Sequence, residues 1–246
     1  MSLKDKVVII TGASSGIGAA TTAKLVEKGA KVVIGARREE RLKELADKFP
    51  KDTVIYQKTD VSNLDDMKSL ANLAIQKFGR IDAIYNNAGV MPTALLNEYR
   101  HDEWQSMVNI NIMGVLNGIE AVLPTMEKQG SGHILATSSV AGHVVYPGSA
   151  VYCGTKFAVR AIMEGLRQEE GSKGIKSTII SPGAVDTELY KSVSGEQAQK
   201  DLIESWKQPN KSLKAEDIAD GVVYALDSSD RTSVSEIIIR PTAQEM

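Results

Sequence analysis

The stretch Val7-Val8-Ile9-Ile10-Thr11-Gly12-Ala13-Ser14-Ser15-Gly16-Ile17-Gly18 passes from a β-branched run into a glycine-rich turn, and residues 19–28 after it have helix-forming composition. It reads as strand, glycine turn, helix. Glycines let backbone approach a pyrophosphate closely, and the N–H groups that open a helix supply donors for it. The spacing G-x3-G-x-G is not the G-x-G-x-x-G dinucleotide fingerprint, and it lacks the Gly-Lys-Ser/Thr ending of a Walker loop. Such a turn also serves plain packing of strand on helix, so its meaning depends on what surrounds it.

Working outward, 31–34 is a second β-rich run that ends in Gly35-Ala36-Arg37-Arg38 before a helical segment at 39–48. In a dinucleotide fold the end of this strand lies beside the adenosine ribose, where an acidic residue would hold the two hydroxyls of NAD. Arg37 and Arg38 stand there instead. Guanidinium groups suit a ribose phosphate, which favours NADP over NAD; the plainer alternative is a solvated basic helix start. A third strand begins at Val54-Ile55-Tyr56 and is expected to reach Asp60-Val61, with a helix over 64–78. A fourth, 81–85, ends in Asn86-Asn87-Ala88-Gly89, small and amide residues that suit a cofactor lying on backbone or an ordinary turn. The stretch 102–128 reads as one long helix carrying Asn109, Asn111 and Asn117, amides that need partners if buried. The fifth strand, 133–137, opens onto Ser138-Ser139. The sixth, 177–181, precedes Pro182-Gly183-Ala184-Val185-Asp186-Thr187. Residues 188–213 are polar and irregular with helical patches, 215–226 reads as a helix and 236–239 as a last strand. Repeated strand–helix alternation with connections too long for hairpins predicts an α/β fold: one doubly wound Rossmann-type domain over 1–246, with a parallel sheet of about seven strands covered on both faces.

Tyr152-Cys153-Gly154-Thr155-Lys156 places a phenol and an ammonium four residues apart, on one face if this segment opens a helix. Bringing a tyrosine from its usual pKa to neutrality asks for roughly 3 units, or about 4 kcal/mol of preferential stabilisation of the phenolate. A nearby ammonium is a source of such stabilisation, although Tyr and Lys also meet at this spacing by chance.

Net charge is −2, with Lys and Arg scattered along the chain, so no global attraction to nucleic acid or an anionic membrane is expected. One cysteine excludes an internal disulfide and any multi-cysteine metal site, in keeping with a reducing compartment. Met1-Ser2-Leu3-Lys4-Asp5-Lys6 lacks the apolar run of a signal peptide, and no stretch is expected to span a membrane; a cytoplasmic location is expected. His101, His133 and His143 lack metal-ligand spacing, and no metal is expected.

Taken in order, Thr11-Gly12-x3-Gly16-Ile17-Gly18, Asp60, Asn86-Asn87-Ala88-Gly89, Ser139 with Tyr152-x3-Lys156, and Pro182-Gly183 with Thr187 make a chain that resembles the short-chain dehydrogenase/reductase family. The likeness implies an NADP(H)-dependent oxidoreductase acting on a carbonyl or secondary alcohol. Tyr152 would be the general acid/base, with Lys156 lowering its pKa and binding the nicotinamide ribose. Ser139, favoured over Ser138 by its thirteen-residue step to Tyr152, would hydrogen-bond the substrate oxygen, and Asn111 would hold a water in a proton relay. Gly12, Ser14, Ser15, Gly16, Ile17 and Gly18 would line the pyrophosphate. Asp60 and Val61 would meet the adenine, and Asn87, Ala88 and Gly89 the adenine ribose side. Pro182, Gly183, Val185 and Thr187 would fix the nicotinamide. Met91, His143, Val145, Tyr146 and Tyr190 are candidates for the substrate pocket, His143 having a structural role as its alternative, and 187–213 for a lid. The resemblance also implies a homodimer or homotetramer built through the helices at about 102–128 and 150–171. A cofactor-binding sensor or scaffold without turnover, and an NAD-preferring dehydrogenase, are the competing readings.

Overall fold

The computed structural model describes residues 3–244; Met1 and Ser2 lie outside them. Seven strands are present among the described residues: β1 (Val7–Thr11), β2 (Lys31–Ala36), β3 (Val54–Lys58), β4 (Ala83–Asn86), β5 (Gly132–Thr137), β6 (Ile175–Pro182) and β7 (Glu236–Ile239). They form one sheet in the order β3-β2-β1-β4-β5-β6-β7, every pairing parallel. The helices are α1 (Gly16–Glu27), α2 (Glu39–Ala46), α3 (Leu64–Phe78), α4 (His101–Met107), α5 (Gly114–Gln129), α6 (Ala150–Glu170), α7 (Glu196–Trp206) and α8 (Ala215–Leu226).

β1 shows why the sheet sits between two helical layers. All five of its residues are buried, and successive side chains leave a strand on opposite sides. Val8 and Ile10 enter one core with Leu25 of α1, Leu42 of α2 and Val222 of α8. Val7 and Ile9 enter the other with Leu70 of α3, Val122 of α5 and Met163 of α6. A strand apolar on both faces needs cover on both.

Three sequence expectations are corrected. β3 stops at Lys58, so Asp60 and Val61 lie in the loop beyond it. There the Asp60 carboxylate accepts hydrogen bonds from the Ser62 N–H (3.0 Å) and hydroxyl (2.7 Å), closing a turn that ends the strand. The helix expected over 102–128 is interrupted: α4 runs into a π-helical turn, Val108–Met113, before α5 begins. Finally, the combined run His101–Gln129 has a mean hydropathy of 1.3 in its best 18-residue window, so one helix is long and apolar enough to cross a membrane by length and composition. Within the fold, Val115, Val122 and Met126 of that run pack in the core beneath the sheet.

Asp82, just before β4, fastens the beginnings of two strands. Its carboxylate accepts hydrogen bonds from the Val7 N–H (2.9 Å), Arg80 Nε (2.9 Å) and Nη2 (2.7 Å), and Lys6 Nζ (3.1 Å). Burial alone would raise its pKa; Arg80, the Val7 N–H and Lys6 outweigh that and hold it below the usual value. A depressed carboxyl contributes stability that is complete above its unfolded pKa of about 3.9 and fades as pH falls through the folded value. Asp82→Asn is therefore expected to lower unfolding free energy by about 1–3 kcal/mol at pH 7, with the gap narrowing below about pH 4. Urea titrations of both proteins across that range check it, and a gap that does not depend on pH would refute it.

Candidate active site

The sheet order reverses between β1 and β4, the place where open α/β sheets leave a crevice beyond the strand ends. Two turns meet there. Gly12 has φ +66°, and a Cβ on it would stand 2.8 Å from the Ala88 Cα. The Thr11 hydroxyl accepts hydrogen bonds from the N–H groups of Asn87 (3.1 Å) and Ala88 (3.2 Å), while Asn87 Nδ2 donates to the Thr11 carbonyl (3.1 Å).

The resulting cleft has a volume of about 500 Å³, the size of a small-molecule or cofactor site. Gly12, Ser14, Ser15, Gly16 and Ile17 line it, as do Arg37, Arg38, Asp60 and Val61, then Asn87, Ala88 and Gly89, and finally Tyr152, Lys156 and Thr187. Arg38 is aimed by the glycine turn: Nε and Nη2 donate to the Ser14 hydroxyl (3.1 and 2.9 Å), and Nη2 also to the Ser15 hydroxyl (2.7 Å). A backbone cradle that a side chain at Gly12 would obstruct, donors at the opening of α1, and two arginines at the end of β2 fit a dinucleotide.

The other end of the cleft is built by α6. Tyr152, Lys156, Val159 and Met163 are all buried at i, i+4, i+7 and i+11, so the stripe that seats the helix also carries the two polar groups inward. Ser139 stands close enough to the Tyr152 hydroxyl to influence its titration, and its own hydroxyl accepts from the Ala141 N–H (3.1 Å). Ser138 instead is buried and donates to the Lys156 carbonyl (3.0 Å), a packing contact. Lys156 Nζ donates to the Thr137 carbonyl (2.8 Å) and lies 5.6 Å from the Tyr152 ring centroid.

The titration of this pair departs from expectation. Burial pushes Tyr152 up to about 12, opposed by Ser139, and burial pushes Lys156 down to about 8. Loss of hydration dominates both groups, so in this cleft the phenol is not lowered. Asn111 is buried in the π-helical turn. Its Oδ1 accepts from the Val90 N–H (2.9 Å), and its Nδ2 donates to the Val90 carbonyl (3.0 Å) and the Thr155 hydroxyl (3.1 Å). It ties the segment after β4 to α6.

Other expected site residues lie off the cleft. A Cβ on Gly18 would stand 2.8 Å from the Gly12 carbonyl, so this glycine packs α1 on the turn. Pro182 ends β6, paired with Ile239, and its carbonyl receives a long hydrogen bond from Ser139 (3.4 Å). Gly183 faces the side chain of Gln244, and Val185 is buried beside Leu213. His143 takes its structural alternative: Nε2 meets Glu236 Oε1 of β7 at 2.8 Å. Val145 is 64% exposed, and the Tyr190 ring stacks edge-on with Trp206. Met91 and Tyr146 instead gather around Tyr152, Met107 and Cys153 in a small apolar cluster. Two residues that no sequence motif marks also matter. Thr137 lines the cleft and receives Lys156, and Glu188 lines it with Arg38 and Arg41 as ion-pair partners.

The model of the family described as short chain dehydrogenase matches residues 6–198. An uncharacterized oxidoreductase of Staphylococcus saprophyticus is 52% identical over 247 residues, covering 100% of this chain and 99% of that one. The closed form of serine dehydrogenase complexed with NADP+ superposes with a TM-score of 0.92 at 28% identity, over 98% of this chain and 96% of that one. A short-chain dehydrogenase/reductase from Burkholderia phymatum in complex with NAD gives 0.87 at 28% identity, over 97% and 90%.

The Gly12–Ala88 contact sets a test of the site's foundation. Gly12→Ala adds the strain of a positive φ, about 1–2 kcal/mol, to a clash with backbone that has nowhere to retreat. Gly79→Ala is the control, since Gly79 has φ +77° with nothing within 4 Å of where a side chain would begin. Urea denaturation is expected to show Gly12→Ala costing at least about twice as much as Gly79→Ala. Equal costs would mean the two turns are not in contact.

Proposed function

Since the chain belongs to the short-chain dehydrogenase family, and so is an oxidoreductase acting between CH–OH and C=O, we propose that it transfers hydride between NADP(H) and a carbonyl or secondary alcohol, with Tyr152 moving the proton. The observation that carries this is the pair Tyr152 and Lys156, buried on one stripe of α6 and lining the same cleft that the Gly12 turn and Arg38 line.

The nicotinamide, when bound, supplies or receives the hydride. The chain's own task is the proton. Ser139 holds the substrate oxygen and stabilises charge that develops on it, while Tyr152 donates its proton to that oxygen during reduction. With a pKa pushed up to about 12, the phenol is protonated at neutral pH, the form a donor requires. Lys156 keeps most of its charge at pH 7 and sets it beside the ring. Asn111 acts as a positioning residue for Lys156 through Val90 and Thr155. Gly183 and Val185 act through packing, and Thr187 through the cleft wall.

Arg37 and Arg38, with no carboxylate at the end of β2, support NADP. The NAD-bound neighbour keeps NAD as the second reading. We assign the substrate pocket to Met91 and Tyr146 with Val90, Trp104 and Val151. The Tyr146 hydroxyl is buried and has no hydrogen-bond partner among the described residues, which favours a substrate with an apolar flank and one polar group in its reach. Residues 187–213 serve as the lid: the Ser192 hydroxyl accepts from the Met91 N–H (2.8 Å). The exposed Val108 and Met113 of the π-helical turn, Leu116 of α5 and Phe157 of α6 support a homo-oligomer.

Tyr152→Phe is expected to reduce carbonyl-dependent NADPH oxidation by a factor of about 10²–10⁴ while NADPH binding, followed by its fluorescence, changes less than about threefold. Turnover that survives the substitution would sink the assignment; tight NADPH binding without turnover on a broad carbonyl panel would point to a sensor. In the wild type, alcohol oxidation should rise with pH to at least about 9, because the phenolate base becomes populated, while reduction should not. Arg37→Asp should weaken NADPH more than NADH; equal effects would favour the NAD reading.

A further inference from the structure

We propose that Glu188 is an internal competitor for the 2′-phosphate of NADP(H): its carboxylate holds the phosphate-reading arginines until the phosphate displaces it, releasing the first turn of the lid from α2. This rests on the NADP reading above and adds to it a residue that opposes binding.

Glu188 Oε2 accepts hydrogen bonds from Arg38 Nη1 (2.8 Å) and Arg41 Nη1 (2.5 Å), and Oε1 accepts from Lys191 Nζ (2.7 Å). The other edge of the Arg38 fork is fixed by the Ser14 and Ser15 hydroxyls of the glycine turn. One carboxylate thus spans from the segment after β6 to the start of α2, across the end of the cleft where a ribose phosphate would be read. The neighbouring Thr187 lies against the same turn, its Cγ2 being 3.1 Å from where a side chain on Gly16 would begin.

Carboxylate and phosphate oxygens satisfy a guanidinium in the same way, and a phosphate brings more charge and more acceptors. The hydrogen bonds from Lys191, Arg41 and Arg38 hold the Glu188 carboxyl well below the usual carboxylate range, so it is ionised and competing at neutral pH. The side chains of Arg38, Arg41 and Glu188 are 45%, 41% and 31% exposed, and ion pairs with that much water around them are weak. The tie therefore holds the empty site and yields to a dianion. NAD(H), lacking the phosphate, has nothing to exchange for Glu188 and leaves it in place. The latch would sharpen cofactor choice and couple it to the lid, whose Ser192 touches Met91 at the substrate end.

Isothermal titration with cofactor fragments tests this without turnover. Adenosine 2′,5′-bisphosphate and AMP are titrated into wild-type protein and Glu188→Gln, an isosteric change at a part-exposed side chain. Glu188→Gln is expected to bind the bisphosphate about three- to tenfold more tightly and AMP within about twofold of wild type. Proteolysis within 187–213 should quicken when wild type is saturated with the bisphosphate, but not with AMP, and should be quick in Glu188→Gln without either. A wild type that prefers the bisphosphate while Glu188→Gln shows no gain, or gains equally for both fragments, would overturn the latch and leave the NADP reading standing. A wild type that binds both fragments alike would remove the NADP reading and the latch together.

Discussion

Two turns touch backbone to backbone where the sheet reverses its order, and the cleft depends on that contact. Gly12 and Ala88 approach to a distance that leaves no room for a side chain, and Thr11 and Asn87 clasp the two segments with hydrogen bonds. From that clasp the rest is placed. α1 leaves with its opening N–H groups toward the crevice, β2 delivers Arg37 and Arg38 to one end, and β5 with α6 delivers Thr137, Tyr152 and Lys156 to the other. A parallel sheet positions such groups well because each strand end is held by neighbours on both sides.

Charge and water are distributed unevenly along the cleft. At the end lined by Arg37 and Arg38 the cations are half-exposed and exchangeable, which suits a site that must admit and release an anion. At the end lined by Tyr152 and Lys156 the groups are buried, and desolvation dominates their titration. The cleft is thus wet at its arginine end and dry at its tyrosine end, and the glycine turn lies between the two.

Much of this was legible in the residues themselves. The runs of β-branched residues mark the strands, and α3, α8 and β7 begin and end where periodicity and turn residues put them. The glycine, arginine and asparagine motifs that line the cleft were readable because they sit at strand ends, where sequence order and spatial order coincide, and Tyr152 and Lys156 because their spacing sets them on one face of α6. What was not readable depended on distant partners. His143 looks like a pocket residue until Glu236, 93 residues on, claims it. The side chain of Gln244 meets Gly183, a contact that the Pro-Gly motif does not announce. Glu188 sits in a polar stretch with no pattern to single it out, and its meaning comes from Arg38, 150 residues earlier. The rise in the Tyr152 pKa was hidden for a related reason, since burial is a property of the fold and not of a four-residue spacing.

The π-helical turn at Val108–Met113 makes one rod behave as two. Its wider winding accommodates one extra residue, so the halves are clocked differently about a shared axis. The first half turns Trp104 and Met107 toward the cluster around Tyr152, and the second turns Val115, Val122 and Met126 beneath the sheet. Uniform pitch would satisfy only one of these aspects, because a single residue is worth about 100° of rotation. The wide turn thus works as a gear offset that lets one continuous helix serve both the cluster around Tyr152 and the core.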